Sequence, residues 1–286
     1  MGKAQISSLS IGKRYHCNVV NVKLTTLGKE DGILIELRNL CVGYGKRRIL
    51  NEISTTFARG KLTAIVGPNG SGKTTLLKAA CAILPAESGE ILADGANVLR
   101  MKSTDRAKKI AYLAQSRSVP DMTAEQTVLH GRFAHLPYPY IYTQKDKEIA
   151  VNAMIRIGVS DFADMPISAL SGGMRQNVYL AMALAQETDC IFLDEPTTYL
   201  DIANRFQLMD TLRALANEGK CVVAVLHDLE LALQFADEIA VMQDGAIVAK
   251  DTPARICQSK ILETIFHISL QQIQTENGST HYIVCR

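Results

Sequence analysis

The sequence predicts an α/β fold: a mostly parallel sheet covered by helices, with an antiparallel β part near the N-terminus and an inserted helical subdomain. Three observations carry that reading. Apolar strands alternate with amphipathic helices from Cys190 onward, the order of a parallel sheet with crossover helices. A glycine-rich loop from Gly67 to Gly72 lies between an apolar strand and a helix. From about 120 to 185 the strand pattern gives way to helical patches.

Residues 1–32 are polar and irregular, with five basic and two acidic residues. They are expected to form a flexible or loosely docked N-terminal extension, although His16 to Thr25 is strand-like. The run Ile33 to Leu37 reads as a strand, and after the turn-rich Gly43-Tyr44-Gly45 a second one spans Arg48 to Phe57. Ala58-Arg59-Gly60 turns the chain into the buried strand Lys61 to Val66, and a helix opens at Lys73. The helical region holds Lys145 to Gly158, Gly172 to Gln186 and an aromatic, proline-rich stretch from Phe133 to Tyr142. The apolar strand Cys190 to Leu193 ends in Asp194-Glu195. Helix Ala203 to Glu218, strand Cys221 to Leu226, helix Leu229 to Asp237 and strand Glu238 to Met242 follow. The expected division is an extension at 1–32, a main domain at 33–255 with its helical part at about 120–185, and a C-terminal tail at 256–286.

Length and composition narrow the function. A chain of 286 residues allows one or two domains with a large core. The formal net charge of +2 argues against nucleic acid as a partner, because such proteins usually carry a clear basic excess. With 47% hydrophobic and 21% charged residues the chain reads as globular and ordered. No run approaches the ~18 apolar residues that span a bilayer, and no secretory h-region is expected near the start. The seven cysteines show no CxxC spacing and several sit inside apolar runs. They read as reduced core residues rather than a disulfide framework or a zinc site.

Three motifs carry chemistry. The first, Gly67-Pro68-Asn69-Gly70-Ser71-Gly72-Lys73-Thr74, is a full GxxxxGK[ST]. Its glycines let backbone amides face phosphate oxygens, and the helix that follows offers its positive end to the same anion. Lys73 reaches the terminal phosphates, the Thr74 hydroxyl is a Mg²⁺ ligand, and Thr75 extends the phosphate contacts. The second motif is Asp194-Glu195 at the C-terminal end of a buried strand, the edge where open α/β sheets bind ligands. Asp194 would hold Mg²⁺ and Glu195 would act as general base on water. Two solvated acids ending a strand would look the same without the glycine-rich loop upstream. The third motif is Leu170-Ser-Gly-Gly-Met-Arg-Gln176, in which Ser171 can cap a helix while Gly172 and Gly173 leave amides free for an anion.

Together these motifs resemble those of the ATP-binding subunits of ABC transporters, with LSGGMRQ matching the superfamily signature over a region of about 33–255. The resemblance implies a P-loop NTPase core of the ABC ATPase type, with ATP and Mg²⁺ as ligands. It implies that Tyr44 stacks on adenine and that Gln115 senses Mg²⁺ and the attacking water. It also implies that Asp201 meets a partner subunit and that His227 touches the γ-phosphate. His227-Asp228 alone could suggest a metal phosphohydrolase, but no second His/Asp set accompanies it. Met174 departs from the family's usual Gln, and Asn177 from a frequent Arg.

The resemblance further implies two subunits paired head to tail. The phosphate loop of one would face Ser171, Gly172 and Gly173 of the other, with water attacking the γ-phosphate in line. Partners would be a homodimer or paired ATPase subunit, integral membrane permease subunits and, indirectly, an extracellular substrate-binding protein. The location would be peripheral, on the cytoplasmic face of the cell membrane. Ala181 to Gln186, Asp194 to Asp201, Gly131 to His135 and His227 to Leu233 are similar to the importer ATPases for iron–siderophores, haem and cobalamin. The stretch after Met242 is expected to leave no room for a large regulatory domain. An ATPase of another importer or of an exporter, a soluble non-transport ABC ATPase, and a nucleotide-binding regulator stand as alternatives.

Overall fold

A computed structural model describes residues 32–45, 47–115, 119–198, 200–274 and 280–285. The extension before Gly32, with its strand-like His16 to Thr25, lies outside the described residues. In chain order the elements begin β1 (Ile33–Tyr44), β2 (Arg47–Ala58), β3 (Leu62–Val66), α1 (Lys73–Ala80), β4 (Ser88–Ala93), β5 (Ala96–Asn97), α2 (Ser103–Ala107) and β6 (Ile110–Leu113). The helical region supplies α3 (Ala124–His130), α4 (Gln144–Ile157) and α5 (Gly172–Ala185). Then come β7 (Cys190–Asp194), α6 (Ile202–Asn217), β8 (Cys221–Val225), α7 (Leu229–Phe235), β9 (Glu238–Gln243) and β10 (Ala246–Asp251). The chain closes with α8 (Pro253–Gln258), α9 (Ile261–Phe266), β11 (Ser269–Gln274) and β12 (Thr280–Cys285).

Among the described residues the strands form three sheets. The first is antiparallel, in the order β2-β1-β4-β5. The second has the order β10-β9-β3-β8-β7-β6 and is parallel throughout except for β10 on β9. The third is the hairpin β11-β12. Strands β3, β7 and β8 are buried at every position, as a parallel strand covered on both faces must be. Alternate side chains of β8 enter different cores. Val222 and Ala224 join the helices on one face, while Val223 and Val225 join α1 and the antiparallel sheet on the other. Phe192 of β7 meets Phe57 of β2 edge to face, with ring centroids 5.8 Å apart.

This topology positions the site. Ile65 of β3 pairs with Val225 of β8, and Val225 pairs with Asp194 of β7. The C-terminal ends of three neighbouring parallel strands therefore carry Gly67, His227 and Asp194-Glu195 to one edge of the sheet.

Residues after Met242 are folded onto this core. Helix α8 runs across residue 255, Ile256 and Leu262 are buried, and Leu270, Tyr282 and Val284 pack on the larger core cluster. The Val284 amide donates to Glu230 Oε1 on α7 at 3.0 Å. Among the described residues no helix is long and apolar enough to cross a membrane.

Candidate nucleotide site

The glycine-rich loop is shaped by close approaches. A Cβ on Gly67 would lie 2.2 Å from the Met242 carbonyl oxygen, so nothing larger than glycine fits there. Gly72 has φ +101° and caps α1 in the left-handed region, with Leu50 only 2.9 Å from where its Cβ would be. The Gly245 amide donates to the Ser71 carbonyl at 3.1 Å, and the Asn51 amide donates to the Gly245 carbonyl at 3.0 Å. The β9–β10 turn thus ties β2 to the loop. Helix α1 leaves its first amides, at Lys73, Thr74 and Thr75, without an intrahelical acceptor.

Lys73 Nζ donates to the carbonyls of Gly67 at 2.8 Å and Pro68 at 3.0 Å. Burial lowers its pKa from the usual lysine value, while the charges of Glu195 and Asp194 pull the other way. The Ser71 hydroxyl is buried inside the loop without a hydrogen-bond partner. An orphaned buried hydroxyl, a clustered ammonium and unpaired amides fit a phosphate group.

Beside the loop, Asp194 is 2% exposed and has a hydroxyl on each oxygen. Thr74 donates to Oδ1 at 2.9 Å and Tyr112 donates to Oδ2 at 3.1 Å. Burial raises the Asp194 pKa, and Glu195 adds to the rise, against the two hydroxyls and Lys78. Thr74 and Asp194 together supply two hard oxygen atoms, the donor type Mg²⁺ takes alongside phosphates.

Glu195 has φ +53°, an uncommon backbone conformation for a non-glycine residue and one that clusters at functional sites. Its Oε2 accepts from Gln115 Nε2 at 2.5 Å and from Thr198 Oγ1 at 3.3 Å. Its Oε1 lies 2.5 Å from His227 Nε2. The structure therefore brings together Lys73, Thr74, Gln115, Asp194, Glu195 and His227. Tyr112 and Thr198 join them, and the sequence assigned neither a role. Tyr112 lies inside a four-residue strand with no motif to mark its hydroxyl, whereas Thr198 was visible three residues after Glu195.

The other expected residues lie apart from this group. Tyr44 ends β1, 51% exposed and directly opposite Arg47. Ser171 caps α5 by accepting from the Met174 amide at 3.3 Å. Arg175 braces the preceding loop, donating to the carbonyls of Leu170 at 2.8 Å and Ser168 at 3.0 Å. Asp201 caps α6 by accepting from the Asn204 amide at 2.8 Å, and Leu200 lies 3.3 Å from where a Gly173 Cβ would be. Among the described residues no hydrogen bond joins Ser171, Gly172, Gly173 or Asp201 to the Lys73 group. Met174, the departure in the third motif, packs against the larger core cluster.

The helical region presents an aromatic surface. Phe133, Tyr138, Tyr140 and Ile141 are 47%, 85%, 53% and 69% exposed. Phe133 stacks on Tyr140 with centroids 5.4 Å apart and on His130 at 5.5 Å.

Known proteins match most of this chain. The ABC transporter family profile matches residues 50–198. The petrobactin import ATP-binding protein FpuD of Bacillus anthracis is 36% identical over 239 residues, spanning 83% of this chain and 88% of that protein. The ferric enterobactin transport ATP-binding protein FepC of Escherichia coli K12 is 36% identical over 247 residues, spanning 86% and 91%. Among solved structures, a transporter described as of the metal-chelate type, in an inward-facing conformation, matches with a TM-score of 0.77. It is 25% identical, covering 89% of this chain and 98% of that one.

Proposed function

The chain belongs to the ATP-binding family of ABC transporters, and from that premise we propose how its residues divide the work of ATP hydrolysis and which transport it drives. It is an ATPase that binds nucleotide and serves a transporter.

The glycine-rich loop, Lys73 and the first amides of α1 bind the β- and γ-phosphates, and Tyr44 stacks on the adenine. Thr74 and Asp194, with Gln115 nearby, would hold Mg²⁺, which would supply positive charge against the phosphates. Lys73 leaves the carbonyls of Gly67 and Pro68 for the phosphate oxygens. Glu195 orients water and takes its proton as that water attacks in line. Gln115 and His227, one on each carboxylate oxygen, hold Glu195 in place, and His227 also meets the γ-phosphate. Ser171, Gly172 and Gly173 act on the ATP of a second subunit, with Asp201 at the subunit contact. That reading accounts for an α5 N-terminus that, among the described residues, makes no hydrogen bond to its own chain's phosphate loop.

The work is import of a metal chelate, of the iron–siderophore, haem or cobalamin kind, through a separate permease. The likeness to FpuD and FepC supports this cargo class. The stacked aromatic surface around Phe133 and Tyr140 is the apolar face offered to the permease. The subunit sits peripherally at the cytoplasmic face of the membrane, and a substrate-binding protein acts on the far side through the permease.

The convergence of Gln115 and His227 on Glu195 is the observation that carries the hydrolytic reading. The test of transport is a pull-down of tagged Glu195→Gln protein with ATP, from detergent-solubilised membranes and from soluble extract. A polytopic permease in the membrane fraction supports the reading. Partners found only in the soluble fraction, or bound nucleic acid, would overturn it in favour of a soluble ABC ATPase.

A further inference from the structure

We infer that Tyr112 is a positioning residue for the metal-binding carboxylate, fixing the plane of Asp194 from the oxygen opposite the one that Thr74 holds. The inference rests on the reading of Asp194 as a Mg²⁺ ligand. Strand β6 pairs in parallel with β7, with Tyr112 opposite Phe192. In a strand, residues two apart share a face, so Tyr112, Phe192 and Asp194 line the side of the sheet toward α1. Tyr112 and Phe192 both pack in the cluster that contains Leu76 and Leu77 of that helix. The Tyr112 ring thus passes along the packed face to set its hydroxyl 3.1 Å from Asp194 Oδ2.

The consequence follows from the hydroxyl inventory of the acid. Thr74 donates its proton to Oδ1. A hydroxyl has one proton and two lone pairs, so Thr74 can keep that bond while its oxygen ligates a cation. Tyr112 is the hydroxyl donor on the other oxygen, Oδ2, and with Thr74 it holds the carboxylate against rotation about its Cβ–Cγ bond. Ligating carboxylates are commonly held by such outer hydrogen bonds, and their loss weakens metal affinity. Three residues beyond Tyr112 the same segment delivers Gln115 to Glu195. One stretch of chain therefore touches both acids, Asp194 through Tyr112 and Glu195 through Gln115.

The test is equilibrium binding of a fluorescent ATP analogue to the full-length chain, titrated with free Mg²⁺, for the native protein, Tyr112→Phe and Asp194→Asn. Thermal midpoints are measured alongside. Loss of one outer hydrogen bond to the ligating carboxylate predicts a rise of about 10- to 100-fold in the Mg²⁺ needed for half-saturation in Tyr112→Phe. Binding without Mg²⁺ should stay at the native value, and the thermal midpoint should fall by a few degrees as the buried Asp194 oxygen loses its donor. Mg²⁺ dependence unchanged in Tyr112→Phe, whatever its midpoint, overturns the inference while leaving the Asp194 assignment intact. An equal loss of binding with and without Mg²⁺ also overturns it, because the hydroxyl would then shape the pocket rather than the metal site. An Asp194→Asn variant with native Mg²⁺ dependence would instead refute the reading on which the inference rests.

Discussion

His227 Nε2 lies 2.5 Å from Glu195 Oε1, with the imidazole 43% exposed and the carboxylate 13% exposed. Gln115 occupies the other oxygen, so Glu195 is gripped from β8 on one side and from β6 on the other. Its backbone is already in the left-handed region, where a side chain persists only when its surroundings over-determine it.

Replacing the base while keeping its shape separates binding from chemistry. Glu195→Gln should bind ATP and pair with a second subunit as the native protein does, yet lose about 10²- to 10⁴-fold in turnover. His227→Ala should lose turnover with nucleotide affinity little changed. Phosphate-release kinetics beside equilibrium nucleotide binding read both. Native turnover in Glu195→Gln would sink the assignment of the base.

Two glycines that look alike in the sequence should respond in opposite ways. A Cβ at Gly67 meets the Met242 carbonyl at 2.2 Å, whereas at Gly172 it meets nothing within 4 Å. Gly67→Ala must displace backbone, so it should abolish nucleotide binding and lower the thermal midpoint. Gly172→Ala should leave folding and nucleotide binding by the monomer intact. It should reduce turnover only where subunits pair, seen as loss of the dependence of specific activity on protein concentration.

The contrast between these glycines marks what was legible in the sequence. The buried strands β3, β7 and β8 are uninterrupted apolar runs, and the helices between them keep helical periodicity, so the central parallel sheet could be read directly. At its C-terminal edge, Lys73, Thr74, Asp194 and Glu195 were legible as motifs, and Gln115 and His227 only through the resemblance. The strands β4 and β10 could not be read, because they are exposed or half-buried along most of their length and show no alternation. Strand β6 is too short to stand out. The fold of the C-terminal residues depends on contacts with α7 that no local pattern announces. Tyr112 belongs to the same class: its hydroxyl matters because β6 lies beside β7, and that adjacency is a property of the topology.

Phe133 and Tyr140 are half-exposed and stack on each other. Replacing both with Ser should leave ATP binding unchanged and shift stability by about 1 kcal/mol or less. Recovery of the permease in the pull-down should fall sharply. Undiminished recovery would move the permease contact elsewhere on the helical region.

Arg132 lies in the interior of the helical region. It is 5% exposed and its guanidinium donates to Asp146 Oδ1 at 3.1 Å, Glu187 Oε2 at 2.8 Å and the Ala185 carbonyl at 2.8 Å. It thereby ties the start of α4 to the C-terminal end of α5, where the helix dipole favours a cation. Burial acts to raise the Asp146 pKa, but hydrogen bonds from the Thr143 hydroxyl and amide and the Arg132 guanidinium outweigh it and hold the acid below its usual value. A depressed folded pKa contributes stability above the unfolded value of about 3.9, and that contribution is lost as pH falls through the folded pKa. Arg132→Ala strands a buried carboxylate and should cost about 3–5 kcal/mol at neutral pH. Protonation of Asp146 removes the stranded charge, so the gap between variant and native protein should narrow below about pH 4. Arg132→Lys keeps the charge but loses the planar fork that reaches two acids and a carbonyl at once, so it should fall between the two. Urea unfolding at pH 7 and pH 3.5 measures all three. A gap of equal size at both values would show that Arg132 acts through packing alone, with the charge on Asp146 contributing nothing.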